Sequence, residues 1–426
     1  MKKIIALLLA LMMVFGMVAC GSANEEVVEE TTEETVVEET TEETTEEAVE
    51  ETEETVVSDL KIGAILVHDE NSGYDMAHIE GLNAACEALG IPMENVTYKY
   101  NIPEDETCYD AAADLADSGC SIIFSDSYGH QTYMAQAAEE FPETMFIACT
   151  GDQAATSGLD NLKNIFPYTF ESRYVSGVVA GMKLKAMMDE GIVTDPYVGY
   201  VGAFPYAEVV SGYTAFFLGI QSIVPEAHMD VQYTNSWYDP IAEGEAAKAL
   251  MGNGCAIIGQ HADSTGAPAE VQAAWEAGNQ VYSVGYNIDM LAVAPDAALT
   301  SAQNVWSVLY QATLEAFMAG EVPTDYACGA ANGAQKISDL GPNVAEGTAE
   351  AVEAAWAGIA DGSIKVFDTA KFTVGGETVT TAFGLDADGD FVNDHGEAIV
   401  DGAFVESVLR SAPYFSLRID GITELN

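Results

Sequence analysis

From residue 60 onward, short apolar runs alternate with segments whose apolar residues recur at helical spacing. Run 61–67 is mostly apolar and stops before His68, which is typical of a parallel strand buried on both faces. Segment 74–89 has helical spacing and ends at Gly90. By the same reasoning, this first unit is predicted to contain strands at 61–67, 95–100, 121–124 and 145–149, and helices at 74–89, 109–118 and 131–141.

The alternation then begins again in a second unit of similar length. Its predicted helices lie at 172–188, 209–224, 241–251 and 268–277, and its predicted strands at 198–201, 229–234, 256–259 and 280–284. Strands that alternate with helices form parallel sheets covered on both faces. The fold class is therefore predicted to be α/β, with two doubly wound lobes joined by a hinge.

The folded part is too long for one compact core and suits two domains. We expect lobe 1 at 60–170 and lobe 2 at 171–298. A long helix at 305–320 is expected to lie in a return segment, 299–345, that completes lobe 1 and the hinge. The C-terminal segment, 346–426, is expected to pack on the lobes.

The first 20 residues have the pattern of a secretory signal peptide. Lys2 and Lys3 precede an apolar run at 4–18, which is too short for an ordinary membrane span. The small residue before Cys20 resembles a bacterial lipobox. We predict a lipoprotein signal at 1–20, with Cys20 carrying the lipid that attaches the protein to a membrane. An ordinary cleaved signal with an incidental cysteine is the alternative.

Residues 21–59 are dominated by Glu, Thr and Val, without an aromatic or basic residue. Such a segment cannot bury enough apolar surface to offset its ordering entropy. We predict a disordered acidic tether that holds the folded part away from a membrane. An acidic tail that binds another protein is the alternative.

The acidic excess extends into the folded part. Of 69 acidic and 14 basic residues, 17 and 2 precede residue 60, which leaves 52 against 12 and a formal charge of −40. Such a surface repels polyanions, so nucleic acid is excluded as a partner. The six cysteines after Cys20 contain no Cys-x-x-Cys pair, which argues against a zinc ribbon and leaves any disulfide pairing open.

Ligands of open parallel sheets lie outside the carboxyl ends of the strands. The segments that follow the predicted strands are rich in aromatic rings and in hydrogen-bonding side chains. The rings are Tyr74, Tyr128, Phe204, Tyr206, Trp237, Tyr238 and Tyr286; the polar residues are Asp69, Asp75, Asp126, Asp152, Asp239, Gln260, Asp263, Asn287 and Asp289.

Lys and Arg are nearly absent from these loops, which argues against a phosphate or carboxylate ligand. Aromatic faces stack on flat or sugar-like molecules, and carboxylates accept hydrogen bonds from N–H and O–H groups. The composition favours a neutral, planar, donor-rich ligand such as a nucleoside. A sugar or a cation would use the same residue types.

The sequence contains no phosphate-binding Gly-x-x-x-x-Gly-Lys loop, no Gly-x-Ser-x-Gly elbow and no His-Glu-x-x-His motif. We therefore predict a binding protein without an enzyme activity, a cofactor or a metal. Asp386, Asp388, Asp390 and Glu397 have the spacing of a calcium loop, but Phe391 stands where that loop needs Gly. An acidic surface loop is the preferred interpretation, and a calcium site is the alternative.

Five segments together resemble the basic membrane protein (BMP) family of bacterial solute-binding lipoproteins, which is known for purine nucleoside uptake through ABC transporters. The resemblance is carried by segments 74–81, 172–181, 198–205, 235–239 and 284–289. It implies a periplasmic-binding-protein type I fold, in which two aromatic rings sandwich a purine while Asp, Asn and Lys side chains hold the base and ribose.

The match to the family pattern is not complete. Tyr74 and Trp237 stand where the family has Phe, and Asp75 stands where it has Asn. Asn287 replaces the first Asp of the family's Val-Asp-x-Asp pattern, and Asn304 replaces a Lys. These changes preserve the stacking pair, Tyr74 and Trp237, and alter the ribose side. The predicted ligand-binding residues are Asp69, Tyr74, Asp75, Tyr128, Asp152, Trp237, Asp239, Gln260, Asp263, Asn287 and Asp289.

We predict a monomeric solute-binding lipoprotein on the extracytoplasmic face of the cell membrane. It would capture a purine nucleoside-like ligand between its lobes and deliver the ligand to an ABC permease. A sugar or another small polar ligand is one alternative. A sensory or adhesion lipoprotein without a transporter is a second, and a surface hydrolase acting on nucleosides is a third.

Overall fold

The computed structural model describes residues 59–383 and 396–426 and shows two α/β lobes, each built on its own sheet. The first sheet has six parallel strands in the order β11-β5-β4-β3-β1-β2. These strands are β1 (Ile62–Ile65), β2 (Val96–Lys99), β3 (Ile122–Ser125), β4 (Met145–Ala148), β5 (Leu162–Pro167) and β11 (Asp325–Cys328).

Helices cover both faces of this first sheet, so β1, β3 and β5 are buried along their whole length. The helices are α1 (Gly73–Leu89), α2 (Glu106–Asp117), α3 (Gln131–Glu140), the single turn α4 (Ala154–Ser157) and α9 (Trp306–Met318). Helix α1 begins where the Ser72 side chain accepts from the Asp75 N–H and ends at Gly90, whose φ of 72° suits glycine.

The second sheet has seven strands in the order β12-β10-β9-β8-β6-β7-β15, and only the β10–β12 pair is antiparallel. Its strands are β6 (Tyr197–Gly202), β7 (His228–Tyr233), β8 (Ile257–His261), β9 (Tyr282–Tyr286), β10 (Ala298–Asn304), β12 (Gln335–Ile337) and β15 (Ile422–Glu424). Its helices are α5 (Thr169–Asp189), α6 (Ala207–Gln221), α7 (Pro240–Gly252), α8 (Gly266–Glu276) and α10 (Thr348–Ala360).

The chain passes between the two sheets three times: from β5 to α5, from β10 to α9, and from β11 to β12. A buried hydrogen-bond network joins these crossings. Asn304 Oδ1 accepts from Thr169 Oγ1 at 3.1 Å and from Gln335 Nε2 at 2.7 Å, and Ser172 Oγ donates to Gln335 Oε1 at 2.5 Å. Thr169, Asn304 and Gln335 each belong to a different crossing, and the network that joins them marks the hinge.

Glycines allow α5 and α6 to pack with their backbones in contact. A Cβ at Gly177 would lie 2.0 Å from the Phe216 carbonyl oxygen, and one at Gly219 would lie 2.1 Å from the Tyr174 carbonyl oxygen. Because the obstacle in both places is backbone, no side-chain rotation can relieve the clash. This helix pair forms a large part of the core of the second lobe.

Gly177→Ala should therefore lower the free energy of unfolding by about 1–3 kcal/mol, the usual cost of overpacking a core. Chemical denaturation monitored by circular dichroism measures the change. Gly252→Ala is the matched control, because a Cβ at this helical residue would meet no atom within 4 Å. A Gly177→Ala protein as stable as the control would show that the helices can separate without loss.

The C-terminal segment packs chiefly on the second lobe. Phe367, Phe372, Phe404 and Phe415 join the core of that lobe, and Phe367 stacks on Phe415 with ring centroids 4.3 Å apart. A short hairpin, β13 (Ile399–Val400) and β14 (Ala403–Phe404), precedes the final strand, β15, which extends the second sheet beside β7.

Most predicted elements of the two lobes are present, with ends shifted by a few residues. Strands β5, β10, β11, β12 and β15 were not predicted. Polar residues such as Lys163 and Asn164 interrupt the apolar pattern of β5, and β10, β11 and β12 adjoin the crossings between the lobes. Within the described ranges, no helix is long and apolar enough to cross a membrane. The six cysteines after Cys20 are all buried and unpaired with one another.

Candidate functional site

A cavity lies between the carboxyl ends of the two sheets, with about 360 Å³ of empty space, part of which is open to solvent. Both lobes supply its walls, and most of the lining residues follow a strand directly, as expected for parallel sheets. The lining residues are Val67, Tyr74, Asp126, Ser127, Tyr128 and Thr150 from the first lobe, and Glu208, Trp237, His261, Asp263 and Tyr286 from the second.

On the first lobe, Tyr74 presents its ring to the cavity from the first turn of α1. Its hydroxyl donates to the carbonyl of Asp126 at 2.8 Å and is 3.2 Å from that of Cys149. These bonds attach α1 to the loops that follow β3 and β4. The orientation of the Tyr74 ring is therefore fixed before any ligand enters.

On the second lobe, Trp237 follows β7 and is held by two other rings. The Phe204 ring packs edge-on against it at 5.2 Å between centroids, and the Tyr206 ring lies at 6.1 Å. Phe204 and Tyr206 are themselves stacked at 5.0 Å. This aromatic cluster positions a large, rigid apolar surface on the wall that the second lobe contributes.

Asp126 and Asp75 form a buried carboxyl pair behind the first-lobe wall. Burial and the neighbouring Asp75 raise the pKa of Asp126 well above its usual range. For Asp75, burial alone would raise the pKa, but hydrogen bonds from His68, Asp126 and Ser72 outweigh burial and lower it. Asp126 is therefore the member of the pair that carries a proton.

Glu208 and His261 meet on the second-lobe wall, with Glu208 Oε1 3.4 Å from His261 Nε2. Burial raises the pKa of Glu208 to about 7, although nearby Arg173 opposes the shift. Burial and Arg173 together lower the pKa of His261 well below its usual value, so this ring is neutral. The Arg173 guanidinium lies 3.5 Å from the centroid of Tyr286 and donates to the Gln260 carbonyl, which keeps it outside the lining.

Asp263 links the two lobes. Its carbonyl accepts from the Gly73 N–H at 3.0 Å, which joins the loop after β8 to the start of α1. Its carboxyl accepts from Asn287 Nδ2 at 3.3 Å, and burial together with Asp75 and other nearby carboxyls raises its pKa well above the usual range. The lobes are therefore closed on one another in this conformation.

Four lining side chains carry buried polar atoms without a hydrogen-bond partner among the described residues. They are Asp126 Oδ2, Thr150 Oγ1, Trp237 Nε1 and His261 Nδ1. Buried polar atoms in folded proteins nearly always have a partner, and leaving one unsatisfied costs about 1–3 kcal/mol. Asp126 Oδ2, Thr150 Oγ1 and Trp237 Nε1 are therefore the candidate positions for hydrogen bonds to a ligand, whereas His261 Nδ1 lies against Gly212 of α6.

Of the eleven predicted ligand-binding residues, Tyr74, Tyr128, Trp237 and Asp263 line the cavity. Asp75 and Asn287 lie directly behind it, bonded to the loops that carry the lining residues. Asp152 is placed to one side, where its carboxylate accepts from the Tyr128 hydroxyl and from Arg410.

The other four predicted residues bond to nearby backbone or side chains instead of lining the cavity. Asp239 and Asp289 accept from the first N–H groups of the helical turns they precede. Asp69 accepts from the backbone and side chain of Asn71, and Gln260 Nε2 donates to two carbonyls of its own loop. Asn304 belongs to the hinge network described above.

Seven lining residues were missed as ligand contacts, among them Val67 and Ser127. Asp126 and Tyr286 were recognised among the polar and aromatic residues that follow strands but were not chosen. Thr150 follows β4 and His261 is the last residue of β8, and that position at a strand end was the signal that could have found them. Glu208 enters the cavity from the first turn of α6, which a search confined to loops does not reach.

Two predictions fall on residues outside the described ranges. The signal, Cys20 and the greater part of the tether precede residue 59, and Asp386, Asp388 and Asp390 lie within 384–395. Glu397 is described, and its carboxylate accepts from Thr381 Oγ1 and from the N–H groups of Ala382 and Ile399.

The family model of PnrA-like ABC transporter substrate-binding proteins, called Bmp, matches residues 63–366. The chain belongs to the Bmp family. The resemblance seen in the sequence is thereby confirmed. Members of this family bind solutes outside the cytoplasm for ABC transporters and are not classed as enzymes.

Curated relatives differ in the ligand that their names state. A purine-binding protein of Brucella abortus is 34% identical over 252 residues, which are 59% of this chain and 67% of that protein. An ABC transporter glucose-binding protein of Haloferax volcanii is 34% identical over 240 residues, or 56% of this chain and 57% of that one. A nucleoside-binding protein of Lactococcus lactis is 23% identical over 50% of this chain and 58% of that protein. The chain thus spans little more than half to two thirds of these relatives.

Solved structures support the fold. An ABC transporter solute-binding protein from Aeropyrum pernix covers 72% of this chain and 93% of its own, with a TM-score of 0.62 and 17% identity. A solute-binding protein from Conexibacter woesei covers 72% of this chain and 97% of its own, with a TM-score of 0.57 and 21% identity. The predicted type I periplasmic-binding fold is confirmed.

Glu243 allows a test of how buried carboxyls near the site affect stability. One oxygen of this fully buried group accepts from the N–H groups of Asp239 and Ser264, and the other has no partner among the described residues. Burial raises the pKa of Glu243 to about 7 from 4.5. The stability associated with its proton is complete below pH 4.5 and is lost as the pH rises to about 7.

Glu243→Gln keeps both accepted hydrogen bonds and removes the titration. The pH-dependent loss of unfolding free energy between about pH 4.5 and 7 should shrink by roughly 2–4 kcal/mol relative to the native protein. Urea denaturation across this pH range measures it. Glu245→Gln alters an exposed carboxylate of the same helix and should follow the native profile. Identical pH profiles for both variants would contradict the proposed protonation of Glu243.

Proposed function

We propose that this protein is a solute-binding lipoprotein of an ABC importer, held on the extracytoplasmic membrane face through Cys20. In this proposal the cavity between the lobes captures a purine nucleoside-like ligand. The observation that carries the proposal is the cavity wall, where Tyr74 and Tyr128 of one lobe and Trp237 of the other combine with buried, unpaired polar atoms.

The aromatic walls of the cavity support a planar ligand. The rings of Tyr74 and Trp237 are each held by packing or hydrogen bonds, so they offer fixed flat surfaces for a planar base. A rigid aromatic wall favours stacking, because little side-chain freedom is lost on binding.

The polar lining supports a neutral ligand. No Lys or Arg is among the lining residues that the structure describes, so an anionic group would find no partner there. Burial raises the pKa values of Asp126 and Asp263 well above their usual range, which favours their protonated forms. A protonated carboxyl both donates and accepts hydrogen bonds, which matches the mixed edge of a purine.

The names of two relatives point the same way, since one is called purine-binding and another nucleoside-binding. A sugar is the second candidate, because a relative of equal identity is called glucose-binding. Aromatic faces and carboxyls also serve sugar recognition, so the lining is compatible with both.

Delivery to a permease is part of the proposal. Closure of the lobes brings their surfaces together into one composite face, which an open protein would not offer to a membrane partner. We expect the protein to act as a monomer. A sensory lipoprotein without a transporter would have the same cavity, and permease and ATPase genes beside this one would separate the two roles.

Isothermal titration calorimetry with a ligand panel tests the proposal. The panel comprises adenosine, guanosine, inosine, cytidine, adenine, ribose and glucose, added to protein that has been unfolded and refolded to remove any co-purified ligand. We expect binding of at least one purine nucleoside more tightly than of ribose or glucose. Binding of glucose alone would establish the second candidate, and no binding of any purine nucleoside would refute the first.

Trp237→Ala should weaken binding of that nucleoside by about tenfold or more, because stacking of a base on an aromatic ring is worth about 1–3 kcal/mol. The dissociation constant from calorimetry measures the effect. Trp275→Ala is the matched control, since Trp275 is a half-buried residue of α8 that does not line the cavity. Equal affinity of the Trp237→Ala and native proteins would exclude the stacking role.

A further inference from the structure

Residues 405–415, which we name the C-terminal strap, are anchored on the second lobe. Phe415 is fully buried in the core of that lobe. Buried Glu406 accepts from the N–H groups of Tyr414 at 2.9 Å and of Phe415 at 2.8 Å, which closes the strap into a compact loop. The anchor therefore moves with the second lobe.

The middle of the strap crosses to the first lobe. Arg410 Nη1 lies 2.9 Å from Asp152 Oδ2, and the Ser411 N–H donates to Asp325 Oδ1 at 2.8 Å. Asp152 follows β4, and Asp325 begins β11, so both acceptors belong to the first sheet. Because the anchor and these acceptors are on different lobes, separation of the lobes must break both contacts.

The strap also closes one side of the ligand cavity. A second cavity shares Tyr128, Thr150 and Glu208 with the first. Its outer wall is formed by Arg410, Ala412 and Pro413 of the strap. The strap is therefore continuous with the ligand site.

The ion pair is placed where it can influence the site. Its side chains are only 16% and 19% exposed, so solvent screens it less than a surface pair. The Tyr128 hydroxyl, which lies on the wall shared by both cavities, donates to the same Asp152 carboxylate at 2.8 Å. Arg410 thus acts on the lining of the ligand cavity through Asp152.

We propose that the C-terminal strap is a latch on the ligand site, in which the Arg410–Asp152 ion pair stabilises the closed lobes and slows ligand release. The strap begins after residue 366, where the match to the family model ends. The latch is thus a feature of this chain's own C-terminal segment. It rests on the proposed function, because it regulates release from the same cavity.

The test compares Arg410→Gln with Arg418→Gln. Arg418 pairs with Glu424 at 2.9 Å, within the part of the chain that packs on the second lobe. Its substitution therefore removes an arginine ion pair that does not cross between the lobes. Stopped-flow measurement of the intrinsic tryptophan fluorescence follows association and release of the nucleoside that binds in calorimetry. Arg410→Gln should speed release about threefold to tenfold and raise Kd in proportion, whereas Arg418→Gln should leave both unchanged.

Asp325→Ala removes the other crossing contact from the side of the first lobe and should also speed release. It serves as the second variant if Arg410→Gln folds poorly. A release rate equal to the native one in the folded variants would overturn the latch. An equal rise in association and release, with Kd unchanged, would also overturn it, because that result means a barrier to entry and not a more stable closed state.

A second readout does not depend on the ligand. Spin labels at Glu139→Cys on α3 and Ala273→Cys on α8, both exposed positions, report the distance between the lobes. A smaller closed population in Arg410→Gln than in Arg418→Gln would support the latch even if no nucleoside bound and the proposed function failed. Identical distance distributions in the Arg410→Gln and Arg418→Gln proteins would overturn the latch, whichever ligand the protein binds.

Discussion

The common direction of neighbouring strands is the constraint on which this structure depends. Apart from the β10–β12 pair, every neighbouring pair in the two large sheets is parallel, so the carboxyl ends of most strands in each sheet lie at one edge. The hinge brings the two edges together, and side chains far apart in the sequence become neighbours. Parallel sheets also bury both faces, which leaves the loops beyond the strand ends as the places for polar chemistry.

The cavity carries less negative charge than the surface of the protein. The folded part carries a formal charge of −40, yet the carboxyls of the cavity are buried at raised pKa values. Removing these groups from water makes the neutral form the more stable one, because ionised groups lose their solvation. An acidic surface and a largely neutral, hydrogen-bonding cavity therefore coexist, and both disfavour an anionic ligand.

The lobes were predictable because their elements follow simple periods. Apolar runs such as Ile62–Ile65 lie in buried strands, and α1 combines helical spacing with a glycine at its end. Strand β5 was not predicted because it buries the polar residues Lys163 and Asn164. The Asn164 side chain accepts a hydrogen bond from the Ala154 N–H, an interaction that a hydrophobic pattern does not reveal. The aromatic members of the site were found more reliably than the carboxylates, since Tyr74 and Trp237 also stood at the positions that resemble the family pattern.

The sequence alone determined the α/β class, the two successive units, the family and the neutral, aromatic character of the strand-end loops, because these depend on local periodicity and composition. It could not decide which carboxylates face a ligand. An Asp after a strand can cap a helix, as Asp239 does, or line a cavity, as Asp263 does, and its position after a strand is compatible with both uses. The Arg410–Asp152 pair joins residues 258 positions apart, and only the tertiary structure brings it to the edge of the ligand site.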